Sequence, residues 1–492
     1  MSTSAEGILK LFSKRKALVS IAVAAALVAT SALAMTALSG PAGEPVLTIL
    51  GVTASPEEAY VDEAVEWTVV VEIQDHGQQG KGLLFTWDWD DGTYTVTDVN
   101  SIGSASTATD VQSHSWSEPG VYDVMVSVWD GYGPEQNAFH NVSAGVPFTV
   151  NAPVVLTPHG PVHIEGDAEF AAMAAAESWP GSGIEGDPYV IGLFEIALGG
   201  TGSAIWVQDT TVHFVIRGCH VSDVDGSAVH LFNVMNAAVE DNAFTSCPFY
   251  SVYCEECGDV SVTGNTIDGG THCIGVITCE GVLIGDNLVE DSGWWPLVMM
   301  YSTKVTLRGN SFNGSGIEIG GWLVQHWNSH DIDDSNTVNG EPVYYFKDQD
   351  GGGVPAEAGQ IILANCTGMS VQSEVAGRIS VGFGGGNTVS GSSVSSVHYG
   401  LTISFSAGNT IDSVNITDCF YGIWMEHAED TLIEGSVISG CEYAMWLQQS
   451  DGLTIMGNSV LDSGWYGIFL YYSSYGQVRH NLVAGSDYIG VY

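Results

Sequence analysis

The chain has 492 residues, 45% of them hydrophobic, and sets 57 acids against 11 bases for a formal net charge of −46. That length exceeds one ordinary domain and supplies ample apolar material for a core. So acidic a surface excludes nucleic acid and anionic lipid headgroups as partners; it attracts cations and stays soluble in salt. The N-terminal stretch KRKALVSIAVAAALVATSALAMTALSG has a basic flank and then 22 uncharged residues, Ala17 to Leu38. That is long enough to span a bilayer, yet Ala32-Leu33-Ala34 offers a cleavage site. Residues 1–45 are therefore read as a signal peptide or an N-terminal membrane anchor. Either way the remainder is exported to the extracellular side or the cell surface.

Residues 46–150 contain VLTILGV, VEWTVVVEI, LLFTWDW, VYDVMVSVW and VPFTV, alternating strands with no helical period. The pattern predicts a small β-sandwich. Trp87-Asp88-Trp89-Asp90-Asp91-Gly92-Thr93, His114, Pro119-Gly120-Val121-Tyr122-Asp123-Val124 and Val128-Trp129-Asp130 resemble the PKD domain. That family usually has Gly where Asp90 stands and Tyr where Trp116 stands. The resemblance implies an immunoglobulin-like spacer or adhesion module of extracellular proteins. The carboxylates of WDWDDG are read as turn caps rather than a cation site.

Residues 151–200 read as a linker and an N-terminal cap. A short helix over Asp167–Glu177 covers the open strand edge that a solenoid end exposes. From 201 to 492 the chain repeats. Asn242, Asn265, Asn287 and Asn310 stand 23, 22 and 23 positions apart, and Asn458 and Asn481 are 23 apart. Gly400, Gly422, Ala444, Gly467 and Gly490 follow at 22, 22, 23 and 23. Periods of this length mean stacked coils, each unable to bury its apolar side alone. The reading is a parallel β-helix with asparagine at a fixed turn, where it tolerates left-handed φ and ladders with its neighbours.

Two stretches, DPYVIGLFEIALGGTGSAIWVQDTTVHFVIRGC and NTVNGEPVYYFKDQDGGGVPAEAGQIILANCTGMSV, resemble NosD-type right-handed β-helix proteins, notably archaeal surface ones. The fold class is then all-β, an immunoglobulin-like sandwich followed by a right-handed parallel β-helix solenoid, with an irregular insert near 320–385. The resemblance implies fold rather than function. Its group holds sugar-binding proteins, carbohydrate-active enzymes and metal-maturation factors alike.

Among the nine cysteines, Cys254, Cys257, Cys273 and Cys279 give C-x2-C-x15-C-x5-C, which a zinc ribbon does not use. Cys257 and Cys279, like Cys419 and Cys441, are 22 apart and are read as stacked thiols, or an occasional disulfide, on neighbouring coils. Histidines are scattered, so copper is not carried over from NosD. Asp348 and Asp350 resemble half a calcium loop without its later acidic ligand; a solvated loop is preferred, and Ca²⁺ is the one cofactor left open. Sequons stand at Asn141, Asn313, Asn365 and Asn415, the last within a coil.

No catalytic set stands out from so acidic a background. One constellation does: Trp424, Trp446 and Phe469 fall two places after the small anchors, and Glu426, Gln448 and Tyr471 two places further. In register they form an outward aromatic platform flanked by polar groups, the mark of a binding surface. A second row, Tyr399, Tyr421, Tyr443 and Tyr466, is read as structural. The expected function is an exported cell-surface protein binding glycan or another surface partner through the β-helix face. The alternatives are a polysaccharide lyase or glycoside hydrolase, and a purely structural envelope or adhesion component. Expected partners are a glycan or a cell-surface protein, with membrane contact only through the N-terminal segment. Tyr488–Tyr492 opens a coil with no cap beyond it, which predicts further coils or a partner at the C-terminal edge.

Overall fold

The computed structural model describes residues 46–56, 58–74, 83–99, 107–130, 141–152, 155–200 and 202–492. The signal or anchor of residues 1–45 lies outside the described residues. Two compact units divide the chain between Val155 and Leu156.

In the first unit, Val46–Ser55, Val65–Gln74 and Thr107–His114 form an antiparallel sheet. Glu58–Tyr60, Asn141–Asn151, Gly120–Asp130, Leu83–Asp88 and Tyr94–Val99 form a second sheet. Alternation turns Leu83, Phe85 and Trp87 inward, and one core fills the space between the sheets. Trp67 is its centre, 6.2 Å from both Trp87 and Trp89 and 5.2 Å from Phe148. Buried indoles need partners: Trp87 Nε1 donates to Asp110 at 2.8 Å and Trp116 Nε1 to the Trp89 carbonyl at 3.0 Å. The WDWDDG carboxylates do cap the turn. Asp88 accepts from the Asp90 amide at 3.1 Å, and Asp91 from the Thr93 amide at 2.9 Å.

The second unit is a right-handed parallel solenoid of about 13 turns. Its first coil already lies within residues 151–200, because Val162–Glu165, Tyr189–Gly192 and Phe194–Gly200 pair with strands of the next coil. Helix Gly166–Glu177 sits inside that coil. Its Phe170 closes the core end, with ring centroids 5.3 Å from Tyr189 and 4.9 Å from Phe214. Asp167 does not cap this helix. It accepts from the Thr211 amide at 2.8 Å and the Thr210 hydroxyl at 2.7 Å, tying the helix to the coil below.

The asparagines form a buried ladder. Asn242 Nδ2 donates to Asn265 Oδ1, Asn265 to Asn287 and Asn287 to Asn310, each at 2.9–3.0 Å, and Asn310 continues to Asn336 at 2.8 Å. The left-handed backbone falls one residue earlier than expected. Asp241, Gly264, Asp286 and Gly309 carry positive φ, while the asparagines close the turn through their side chains.

One event divides the solenoid. Thr337–Val338 pairs antiparallel with Glu341–Lys347, the only antiparallel strand pair among the described strands of this unit. The turn between them is Asn339-Gly340, with φ of 52° and 87°, the type I′ geometry that suits a tight hairpin. Chain direction therefore reverses within a continuous 16-stranded sheet. A right-handed coil whose strands run backwards must curl to the opposite side of that sheet. The two cores obey this: on strand Gln360–Ala364, Ile362 and Ala364 belong to the first core, Ile361 and Leu363 to the second. Each half is completed by two seven-stranded sheets of its own. The insert near 320–385 thus contains the reversal and two short coils, Val343 facing Gln360 and Ile361 facing Ile379, before the longer period resumes.

Candidate functional site: an aromatic face at the seam of two coil stacks

In the second stack the expected register holds. Thr402, Trp424, Trp446 and Phe469 are successive strand partners, as are Ser404, Glu426, Gln448 and Tyr471. They are less uniformly exposed than an outward platform implies. Trp424 and Trp446 are half-buried, Phe469 is 7% exposed and Tyr471 44%. Phe469 is covered because it lies between the rings of Trp446 at 4.2 Å and Tyr492 at 5.0 Å. The polar flank is bonded to itself: Gln448 Nε2 donates to Glu426 at 2.9 Å, and Trp446 Nε1 to Gln448 Oε1 at 3.1 Å.

The tyrosine row is a stacked ladder, with Tyr399, Tyr421 and Tyr443 spaced at 4.9 Å and nearly parallel. Its faces are spent on one another, as a packing element's would be. Trp424 and Trp446 cross it at 80° to 83°, edge against face.

Several residues of the same face escape the repeat. Where the first stack ends, it stands against the outer side of the second stack's first strands. Gln360, fully buried, clamps the last strand of the first stack, accepting from the Ile317 amide and donating to its carbonyl, both at 2.7 Å. A Cβ on Gly382 would collide with the Trp327 ring. Trp294 stacks on His398 at 4.8 Å, His398 on Phe420 at 4.8 Å, and Trp295 lies parallel to Tyr399 at 5.9 Å. Beneath Tyr399, 5.7 Å from its ring, is the guanidinium of Arg378, which is 0% exposed and ion-paired with Glu318. Burial, then Arg378, then His272 hold His398 down at about 4, so its ring is neutral near pH 7. Burial raises Tyr399, and Glu318 adds to that. Trp294-Trp295 is visible as a dipeptide, but nothing in the repeat links it to His398 a hundred residues on.

The other candidate residues have partners of their own. Asp348 accepts from Asn328 and Asn365 amides at 2.7 Å each, which lowers its carboxyl, and Asp350 accepts from the Thr367 hydroxyl at 2.9 Å. The two carboxylates turn to different partners. Cys257 and Cys279 stack as expected, the Cys257 amide reaching the Cys279 sulfur at 3.3 Å. All nine thiols are free and buried, and burial pushes Cys247 and Cys273 up to about 12. Asn415 points outward, exposed, into an open groove of about 500 Å³ lined also by Glu341, Glu357 and Glu374.

No curated protein matches the chain. Several solved structures are similar to it, all at low identity and low TM-score. One is the A-module of the Azotobacter vinelandii mannuronan C-5 epimerase AlgE6, with 9% identity, 61% of this chain and 88% of that one covered, and a TM-score of 0.22. Another is the Yersinia enterocolitica family 28 exopolygalacturonase, with 9%, 90% and 98%, and 0.23. A GH87 α-1,3-glucanase catalytic domain gives 9%, 91% of each chain, and 0.24. Family models match both stacks: residues 203–367 the right-handed β-helix region, and 356–492 the periplasmic copper-binding protein NosD. Copper prefers clustered thiolate, thioether or imidazole. Among the described residues no group of three His, Cys, Asp or Glu side chains is placed to hold a metal ion, the thiols are buried, and Met299 is core. The residues present do not fit a copper site. The second unit is thus a right-handed β-helix in fold, similar over residues 203–367 to the right-handed β-helix region and over 356–492 to NosD.

Proposed function

We propose that this is an exported surface protein whose solenoid binds glycan through the face centred on Trp424 and Trp446. The observation that carries the reading is the orientation of Trp424. Its only ring contact is edge-on, 6.2 Å from Tyr399 at 80°, so among the described residues no ring lies face-on against it. A half-buried indole with no ring stacked on it, beside Glu426 and Gln448, suits the apolar face and hydroxyl rim of a sugar ring. In this reading the first unit is a PKD-like, immunoglobulin-like spacer, and residues 1–45 direct export or anchor the chain.

The test is glycan binding by Trp424→Ala and Trp446→Ala. Each should weaken binding while leaving the melting temperature nearly unchanged. Strong destabilisation by both would make the row packing and sink the reading. The groove of Glu357 and Glu374, which are strand partners, favours the second reading, a carbohydrate-active enzyme, since glycoside hydrolysis needs paired carboxyls. Reducing ends released by the parent and abolished in Glu357→Gln would establish it.

A further inference from the structure

Buried polar atoms without hydrogen-bond partners are rare in folded proteins, and each calls for an explanation. Three of those among the described residues belong to the seam, Trp295 Nε1, Arg378 Nη2 and Thr402 Oγ1, and beside them the equally buried Arg378 Nη1 and Glu318 Oε2 have only each other, as an ion pair. They are linked. Arg378 Nε donates to Ser380 Oγ at 2.9 Å, Ser380 is the strand partner of Thr402, and Arg378 and Trp295 flank the Tyr399 ring. Donors and acceptors are mixed, so the groups do not describe a simple anion or cation site.

We propose that the seam is an anchoring subsite for one residue of a neutral, hydroxyl-rich glycan, in which Glu318 accepts from sugar hydroxyls and Arg378 holds that carboxylate in place. This rests on the glycan reading above. Access decides the roles. Arg378 is 0% exposed whereas the Glu318 side chain is 23% exposed, so a ligand reaches Glu318, by the side away from its buried Oε2, and not the guanidinium. An incoming uronate would meet Glu318 and a chain of net charge −46, and is repelled. A hydroxyl donates to the carboxylate without that cost. Trp294 and Phe420, 44% and 40% exposed on either side of His398, supply apolar walls. His398, neutral near pH 7, adds no charge to the site.

The experiment is calorimetric titration of the full chain with neutral hexasaccharides (glucan, mannan and galactan) and a galacturonate hexasaccharide. A neutral hexasaccharide should bind, and Glu318→Gln should weaken it about tenfold, the worth of one charged hydrogen bond. Because that change leaves a buried cation unpaired, Glu318→Gln combined with Arg378→Met separates binding from folding. The double variant should fold as the parent does and still bind weakly. Parent-like binding by both variants, with loss in Trp424→Ala, overturns the seam while the glycan face stands. Tighter binding of the galacturonate overturns the neutral class. If no hexasaccharide binds the parent, the glycan reading itself falls and takes this inference with it.

Discussion

At the scale of single residues, the buried asparagines do the most for the first stack. Each side chain satisfies both an amide and a carbonyl of the preceding coil, as when Asn287 Oδ1 accepts from the Asn265 amide and its Nδ2 also reaches the Val262 carbonyl at 2.8 Å. Asn287→Ala leaves the Asn265 amide nitrogen without its 2.9 Å acceptor and should cost about 1–3 kcal/mol in a urea titration. Histidine sets a pH dependence. Burial holds His330 and His398 at about 4 in the folded chain, against about 6.5 unfolded. Between those values the unfolded chain binds protons that the folded chain does not. Stability therefore falls as pH drops from about 6.5 to about 4 and is unaffected by these groups above that window. His398→Phe, which keeps the stack on Trp294 and Phe420, should flatten the slope of melting temperature against pH; an unchanged slope would remove His398 from this account.

At the scale of elements, the Asn339-Gly340 hairpin is the pivot. Gly340 takes φ of 87° with open space around its Cβ position, so only backbone conformation limits substitution. Gly340→Asn should be nearly neutral, because asparagine tolerates left-handed φ. Gly340→Val should lower the melting temperature by the equivalent of about 1–2 kcal/mol. The coils were legible in the sequence for a physical reason: stacking copies one environment every 22 or 23 residues, so Gly400, Gly422 and Ala444 recur and the Trp424–Trp446 register follows. The seam was not legible. Glu318, Arg378 and His398 meet only because the strands reverse, and reversal breaks the period that sequence reasoning follows. The Asn-Gly signal was present in TVNGEP, but a hairpin inside a parallel solenoid implies a change of core side that spacing alone does not convey.

For the whole molecule, two cores share one strand with opposite loyalties. Ile362 and Leu363 are both 0% exposed, and truncating either to alanine should cost about 2–5 kcal/mol. Their effects should separate in space: hydrogen exchange should rise mainly between 162 and 343 for Ile362→Ala, and mainly beyond 366 for Leu363→Ala. A uniform rise in both would mean that the solenoid unfolds as one cooperative unit. The net charge acts on the molecule as a whole, and screening it should raise the melting temperature as sodium chloride increases from about 0.01 to about 1 M.

The reversal also bears on the order in which the molecule is built. Parallel coils are slow to start because distant segments must meet before any strand is paired. A chain emerging from its N-terminus completes the first stack while residues beyond 340 are still arriving. The hairpin then folds the newest strand back against a finished sheet. The second stack begins with one wall already standing and adds coils by zipping rather than by search. Pulse-labelling during refolding should accordingly protect amides of Val207, Leu231 and Val276 before those of Ile403, Met425 and Leu447, and simultaneous protection would show that the second stack nucleates without the first.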